Sequence, residues 1–347
     1  MTSGVKLIEK LALAFGPSGC EGEVEGLIRA ELAGVPAELM TDRMGNLTAH
    51  LPGPVGAPRV LLSAHMDEVG FMITEIESNG FLRFATLGGI DPRVLVGRPV
   101  TLGNETKRAL GVISQKGIHF QTAEERSKMP KLRDMYIDIG VSSREEAEHY
   151  VSLGDFGTFD TPFLPFGKDK AFLSGKALDD RVGCAVLIEV LRAVSDKHLP
   201  LDLWFAFTVR EELGISGAAV VANRVSPDVA FVIETTAMAD LPDVPAARRV
   251  ADIGAGGVLS LLDKGTIYDR ALIDRALHIA GEKNIPVQVK RYVSGGNDAK
   301  HIHQSGVGVR CLALSAPTRY LHAPVTVAKY SDIEAMTALL TAMLENA

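Results

Sequence analysis

The residues best suited to chemistry in this sequence sit where apolar runs end. Val60-Leu-Leu-Ser-Ala-His-Met-Asp-Glu68 carries an apolar run, Val60 to Leu62, into His65, Asp67 and Glu68. A run of this kind, bounded by turn signals, predicts a buried strand of an α/β sheet. Open α/β sheets place their sites outside the carboxyl ends of such strands. His65 and Asp67 are two apart and share a face of an extended segment. That suits an imidazole metal ligand beside a carboxylate that orients it. Taken alone, one His-x-Asp reads better as an ordinary polar strand end. The acids downstream change that reading.

Lys176-Ala-Leu-Asp179-Asp180-Arg181 places two carboxylates where a helix should begin. One of them would serve as a cap, but adjacent like charges repel unless a cation or an arginine neutralises them. Phe205-Ala-Phe-Thr-Val-Arg-Glu211-Glu212 ends an apolar strand in a second acidic pair, and Val229-Ala-Phe-Val-Ile-Glu234 ends another in a single glutamate. Pro317-Thr-Arg-Tyr-Leu-His322-Ala-Pro324 follows an apolar run with a histidine in a proline-bounded loop. His65, Asp179, Glu212, Glu234 and His322 thus share one placement, and together they are mixed N/O ligands of the type zinc, cobalt or manganese accept. Four would serve one zinc; five, with one aspartate bridging, suit two metals roughly 3.5–4 Å apart that share a water. Glu211 would then be free to act as a base on that water.

These side chains need a frame, and the frame reads as an interrupted α/β domain. Helical spacing covers 5–15 and about 21–33, and extended pieces cover about 37–41 and 47–51. From about Val69 to Phe166 the texture changes to short β-like runs: 70–76, 81–86, 94–102, 109–113 and 135–139. Close spacing of short strands predicts a small barrel or sandwich. Within it, Lys116–Arg133 is polar, charged and read as a long mobile loop. Alternation of strand and helix resumes after Phe166, with a long helix expected over 178–194 and a closing helix over 331–344. The expected organisation is a catalytic α/β domain, 1–68 plus 167–347, interrupted by a β-rich insert, 69–166.

Composition narrows the class. The 347 residues are 46% hydrophobic and 23% charged, with net charge -7. No basic patch stands out, so nucleic acid is not an expected partner. Cys20, Cys184 and Cys311 form no CxxC pair, which fits a reducing cytoplasm. No run approaches the ~18–20 apolar residues of a membrane span. Cys184 reads as a packed small hydrophobe, and Asp298 and His303, at the Gly-rich Ser294-Gly-Gly-Asn-Asp-Ala299, are pocket candidates weighed evenly against structural roles.

At this point the sequence resembles the M42 di-metal aminopeptidases, the family of glutamyl and deblocking aminopeptidases and TET peptidases. The resemblance runs through Gly16-Pro-Ser-Gly19 and Glu21, Ser63-Ala-His-Met-Asp-Glu-Val-Gly-Phe71 and Tyr136-Ile-Asp-Ile-Gly140. It continues in Ala177-Leu-Asp-Asp-Arg-Val-Gly-Cys184, Thr208-Val-Arg-Glu-Glu-Leu-Gly214 and Arg319-Tyr-Leu-His-Ala-Pro324. It implies a mixed-sheet α/β/α metallopeptidase domain with an inserted small PDZ-like β-barrel used for dimerisation. It further implies that His65, Asp179 and Glu234 bind one divalent metal, that Asp179, Glu212 and His322 bind a second, and that Asp67 orients His65. Zinc or cobalt is the expected metal, with manganese an alternative. Glu211 would be the general base in the hydrolysis of N-terminal residues from short peptides, and dimers would assemble into a dodecamer. Two departures stand out: many members carry Asp at the position of Glu234, and Gly-Gly-Thr-Asp is here Gly-Gly-Asn-Asp, followed by Lys300 and His301.

Two other classes compete. Paired carboxylates also hydrolyse sugars without metal, but glycosidase clefts are usually rich in aromatics, and this chain has one Trp and 6% aromatic residues. A metal-binding scaffold without catalysis would not need Glu211 beside a full ligand set.

Overall fold

The computed structural model describes residues 2–104 and 106–347. The chain opens with α1 (Ser3–Leu13), α2 (Gly22–Glu31), β1 (Glu38–Thr41), β2 (Leu47–Leu51) and β3 (Arg59–His65). It continues through β4 (Gly70–Ile76), β5 (Leu82–Leu87), β6 (Pro99–Gly103), β7 (Arg108–Gln115), α3 (Ala123–Ser127), β8 (Met135–Asp138), α4 (Arg144–Glu148) and β9 (Phe156–Phe159). The return adds β10 (Leu164–Phe166), β11 (Phe172–Gly175), α5 (Leu178–Val194), β12 (Asp202–Thr208), α6 (Ser216–Val225) and β13 (Val229–Ala237). The chain closes with β14 (Gly257–Leu259), α7 (Arg270–Lys283), β15 (Val287–Val289), α8 (Ala299–Ile302), β16 (Arg310–Arg319), β17 (Thr326–Lys329) and α9 (Tyr330–Glu345).

Eleven strands form one mixed sheet, ordered β1-β2-β12-β3-β13-β16-β17-β11-β10, with β14 and β15 attached to β16. Its centre, β12-β3-β13-β16, is parallel, while β1, β2, β17, β11 and β10 add antiparallel flanks. The four central strands are buried along almost their whole length, as a sheet covered on both faces requires. That is why they read as unbroken apolar runs in the sequence. Helices α1 and α9 both pack against α5 on the sheet, and α6 and α8 form a second group. Thr2 caps α1 and Asp269 caps α7, supplying acceptors to N–H groups that lack helical partners.

The remaining strands close a six-stranded antiparallel barrel, β4-β5-β8-β7-β6-β9. Its core is separate, built on Phe71 with Phe84 and Phe159 edge-on at 5.4 and 5.1 Å, a favoured aromatic geometry. The strand expected over 94–102 is shorter, because Pro92–Val94 takes a 3-10 turn and the ladder begins at Pro99. Strand β9 closes the barrel from a four-residue Phe-Gly-Thr-Phe stretch with no apolar alternation to announce it. The segment expected as a long loop over 116–133 contains α3, held by a capping box between Thr122 and Glu125. Among the described residues, no helix is long and apolar enough to cross a membrane.

Candidate metal centre

The parallel centre of the sheet brings the acids and histidines together at its carboxyl edge. His65 is the last residue of β3 and pairs in register with Thr208, the last of β12. Two residues beyond Val209, the chain turns through Arg210 into Glu211 and Glu212. Glu234 lies near the end of β13, Asp179 in the first turn of α5, and His322 in the loop after β16. Ala177, Arg210, Tyr320 and His322 have φ of 54°, 56°, 62° and 55°. Non-glycine residues in this region are strained, and such strain concentrates at functional sites. The Asp179–Asp180 peptide is cis.

Two clusters share one carboxylate. His65 Nε2 lies 3.3 Å from Asp179 Oδ1 and 3.4 Å from Glu234 Oε1. His322 Nε2 lies 3.6 Å from Asp179 Oδ2 and 3.2 Å from Glu212 Oε1. Each group of three offers ligand atoms within 4.8 Å of one another. Both imidazoles are turned by the same device. His65 Nδ1 donates to the Asp67 carbonyl at 3.0 Å, and His322 Nδ1 donates to the Gly89 carbonyl at 3.1 Å. A carbonyl only accepts, so Nδ1 carries the proton and Nε2 is left as the free donor pair for a cation. Gly89 lies two residues beyond β5 of the barrel, so the segment leaving the barrel orients one ligand. Its neighbour Gly88 has φ +87, and a Cβ there would stand 2.7 Å from Val69 and 3.3 Å from Glu212.

Asp67 holds the turn that carries the acidic pair. Its Oδ1 accepts the N–H of Glu211 at 2.9 Å and its Oδ2 that of Glu212 at 3.1 Å, with Ser18 Oγ donating a further short bond. The sequence reading gave Asp67 the task of orienting His65. In the structure that contact runs through its main-chain carbonyl, with the carboxylate 3.5 Å from Nδ1. Behind it, Arg181 is fully buried and donates to the carbonyls of Met66, Leu11 and Gly16. Lys176 donates to Glu68 and Ala14, and Thr158 of β9 donates to the other Glu68 oxygen. Arg181 and Lys176 neutralise Glu68 and thread the ligand-bearing segments together.

The electrostatics point to a site short of positive charge. Burial pushes Glu211 well above the usual carboxylate range, with the charges of Glu234 and Glu212 adding to it. Burial likewise raises Glu212, and raises Glu234 to about 7. Burial would lower His65, but Glu234, Asp179 and Asp67 overcome it and hold the imidazolium well above its ordinary value. His322 follows the same pattern, up to about 11 under Asp179 and Glu212. Asp179 Oδ1 is buried with no hydrogen-bond partner. Buried polar atoms are normally paired, so a carboxylate whose Oδ1 lies beside His65 and whose Oδ2 lies beside His322, with Oδ1 left without a hydrogen bond, fits divalent cations.

Beside the cluster opens a cavity of about 270 Å³, lined by His65, Asp179, Glu211, Glu212, Glu234 and His322 together with Ser260, Asp263, Lys290, Ser294–Asn297 and Ser315. Asp298 is not among its lining residues; it lies beneath, accepting from Ser63 at 3.0 Å and Thr208 at 2.7 Å. His303 Nδ1 bonds the Ala299 carbonyl within α8. Cys184 is fully buried, its Sγ 3.1 Å from the His65 carbonyl, and burial raises its thiol far from reactivity.

A family model described as M42 glutamyl aminopeptidase matches residues 45–339, a span that includes every member of the cluster. The chain belongs to the M42 aminopeptidase family. It is a peptidase. This M42 peptidase is 33% identical over 342 residues to the putative aminopeptidase FrvX of Escherichia coli K12, covering 98% of this chain and 94% of that protein. Its fold superposes on the TET aminopeptidase of the marine sediment archaeon Thaumarchaeota archaeon SCGC AB-539-E09 with a TM-score of 0.95, at 34% identity over 98% of this chain and 95% of that one. The Pyrococcus horikoshii TET1 peptidase, which can assemble into a tetrahedron or a large octahedral shell, matches with a TM-score of 0.89, at 34% identity over 99% of each chain.

Proposed function

We propose that this M42 peptidase is a di-metal aminopeptidase that removes N-terminal residues from short peptides. The observation that carries the reading is the pair of His–carboxylate groups sharing Asp179, with Glu211 at their edge. His65, Asp179 and Glu234 would hold one divalent metal, and Asp179, Glu212 and His322 the other, with Asp179 bridging. Zinc, cobalt and manganese all accept this donor set. When bound, such cations supply Lewis-acid polarisation of the scissile carbonyl and a water acidic enough to attack at neutral pH.

The chain's own residues do the rest. Glu211 accepts the proton of the attacking water and returns it to the leaving amine. Its raised affinity for a proton suits both halves of that shuttle. Asp67 fixes Glu211 and Glu212 through their N–H groups. The surplus carboxylates beside the cavity give the substrate's free α-ammonium a place to bind. The body that does this comprises 1–68 and 167–347, and 69–166 forms the insert whose Gly89 steadies His322. Following the P. horikoshii TET1 peptidase, we assign a homo-oligomer built from dimers, with a dodecamer as its form, and a cytoplasmic location.

The test is hydrolysis of aminoacyl-p-nitroanilides before and after EDTA, with Zn²⁺, Co²⁺ or Mn²⁺ returned, alongside N-acetylated versions. Metal-restored cleavage of the free-amine substrates alone is the expected result. Equal cleavage of acetylated substrates, or EDTA-insensitive cleavage, would overturn the reading.

A further inference from the structure

The metal centre borders a second cavity, and catalysis leaves two cations on its wall without a task. This cavity measures about 360 Å³ and shares Glu211, Glu212, Gly296 and His322 with the first, so the two meet at the acidic pair. Its own wall adds Lys264 and Lys300. The N–H of Lys264 donates to the Gly295 carbonyl at 2.9 Å and that of Lys300 to the Asn297 carbonyl at 3.0 Å, which anchors both residues to the Gly-rich segment. A Cβ on Gly265 would stand 2.8 Å from Lys300 Cγ. The stem of Lys300 therefore lies against the residue next to Lys264, and both side chains are exposed.

Neither ammonium is spent on the protein. Among the described residues, no ion pair or hydrogen bond engages the Nζ of Lys264 or of Lys300. The acids closest in sequence are held elsewhere. Asp263 Oδ1 accepts the N–H groups of Gly265 and Thr266, each at 2.7 Å, and its Oδ2 takes a hydrogen bond from the Tyr268 hydroxyl. Asp298 Oδ2 accepts from Ser63 and Thr208, and Glu212 faces His322 at 3.2 Å. An ammonium offers three donors, so this wall keeps free donors for an anion. The same two charges disfavour a substrate ammonium here and leave it to the carboxylates of the first cavity.

Given the aminopeptidase reading, on which this step rests, Glu211 returns a proton to the leaving nitrogen, which must then lie where the two cavities meet. The first cavity takes the N-terminal residue, and the second takes the residue that leaves. We infer that the second cavity recognises a carboxylate on the leaving side of the scissile bond, through Lys264 and Lys300. Two groups supply that chemistry. One is the terminal carboxylate of a dipeptide, whose carbon is two bonds from the leaving nitrogen; the other is the side chain of an acidic second residue. Either gains charge-assisted bonds from ammonium groups on flexible four-carbon stems. A basic second residue meets like charge there.

The experiment measures kcat and KM of the full-length, metal-loaded enzyme on X-Gly, X-Gly-amide, X-Asp-amide and X-Lys-amide, X being the residue best cleaved as a p-nitroanilide. For the wild type, kcat/KM on a carboxylate-bearing substrate is expected to exceed that on X-Gly-amide roughly 5- to 30-fold, the worth of one or two partly exposed ion pairs. X-Gly in the lead assigns the terminal carboxylate, and X-Asp-amide in the lead assigns the acidic side chain. X-Lys-amide is expected last. In the double variant Lys264→Gln, Lys300→Gln the advantage is expected to shrink towards one, chiefly through KM, and added salt is expected to shrink it in the wild type. Should the double variant fail to fold, the wild-type ratios and their salt dependence decide. Equal kcat/KM with and without a carboxylate, or an advantage unmoved by the double substitution, overturns the inference and leaves the aminopeptidase reading standing. No cleavage of any free-amine substrate overturns both.

Discussion

The carboxylate of Asp67 receives the backbone N–H of Glu211 at 2.9 Å, across 144 residues of sequence. The same carboxylate holds Glu212 and Ser18, while the main-chain carbonyl of Asp67 aims His65. One residue therefore sets the positions of the base and of two ligands. Asp67→Ala should weaken metal binding roughly 10- to 100-fold, the usual effect of losing a group that orients ligands. Metal titration of the apoprotein checks this, and an unchanged affinity would remove Asp67 from that role.

Glu211→Gln separates chemistry from assembly. Glu211 is outside both sets that share Asp179, although with His65 and Glu212 it forms a third group of close ligand atoms; on the two-metal reading metal content should be retained. Loss of a general acid–base group typically lowers rate 10²- to 10⁴-fold, and kcat should fall by about that much. Full metal with near-normal kcat would show that another group carries the proton.

The structure shows why some of this was legible in the chain and some was not. The strand reaching His65, the strand over 47–51 and the helix over 178–194 were all readable, because continuous burial leaves unbroken apolar or helical periodicity. The strand-exit positions of His65, Glu212, Glu234 and His322 followed from those runs. Strand β9 and the short pieces β14, β15 and β17 were not readable, since their pairing is made by distant partners rather than by local pattern. The bonds from Asp67 to Glu211 and Glu212, from Gly89 to His322 and from Asp298 to Ser63 and Thr208 have no local signal at all. Ser18 and Glu21 are motif residues in the sequence, and their contacts, with Asp67 and with the N–H groups of Gly19 and Arg210, are set by the fold.

Glu68 ties the barrel to the sheet domain through three donors. Lys176 and Thr158 each approach it at 2.6 Å, and Arg181 lies 3.5 Å away. All four side chains are buried. Glu68→Gln removes the countercharge from two buried cations, which should destabilise the fold by about 3–5 kcal/mol. Thr158→Val removes a single hydrogen bond and should cost about 1 kcal/mol. Urea unfolding of both variants measures the difference, and similar small effects in the two would contradict the network.

Glu21 gives the fold a pH dependence of its own. Burial, aided by the charge of Asp67, raises its carboxyl from 4.5 to about 7, against the N–H groups of Gly19 and Arg210. The native state thus holds this proton more tightly than the unfolded chain. Its stabilising share is full below pH 4.5 and is lost as pH rises through about 7, up to about 3 kcal/mol in all. Glu21→Gln cannot ionise, so its thermal midpoint relative to the wild type should climb between pH 5 and 8. A difference that stays flat across that range would place the titration elsewhere.

The account rests most directly on two cations meeting at Asp179. Crystals grown with Co²⁺ or Zn²⁺, measured at the metal's absorption edge, would locate them by anomalous scattering. The expected result is two peaks roughly 3.5–4 Å apart, one against His65 and Glu234, the other against Glu212 and His322, with Asp179 touching both. A single peak, or a pair away from Asp179, would contradict the two-metal centre.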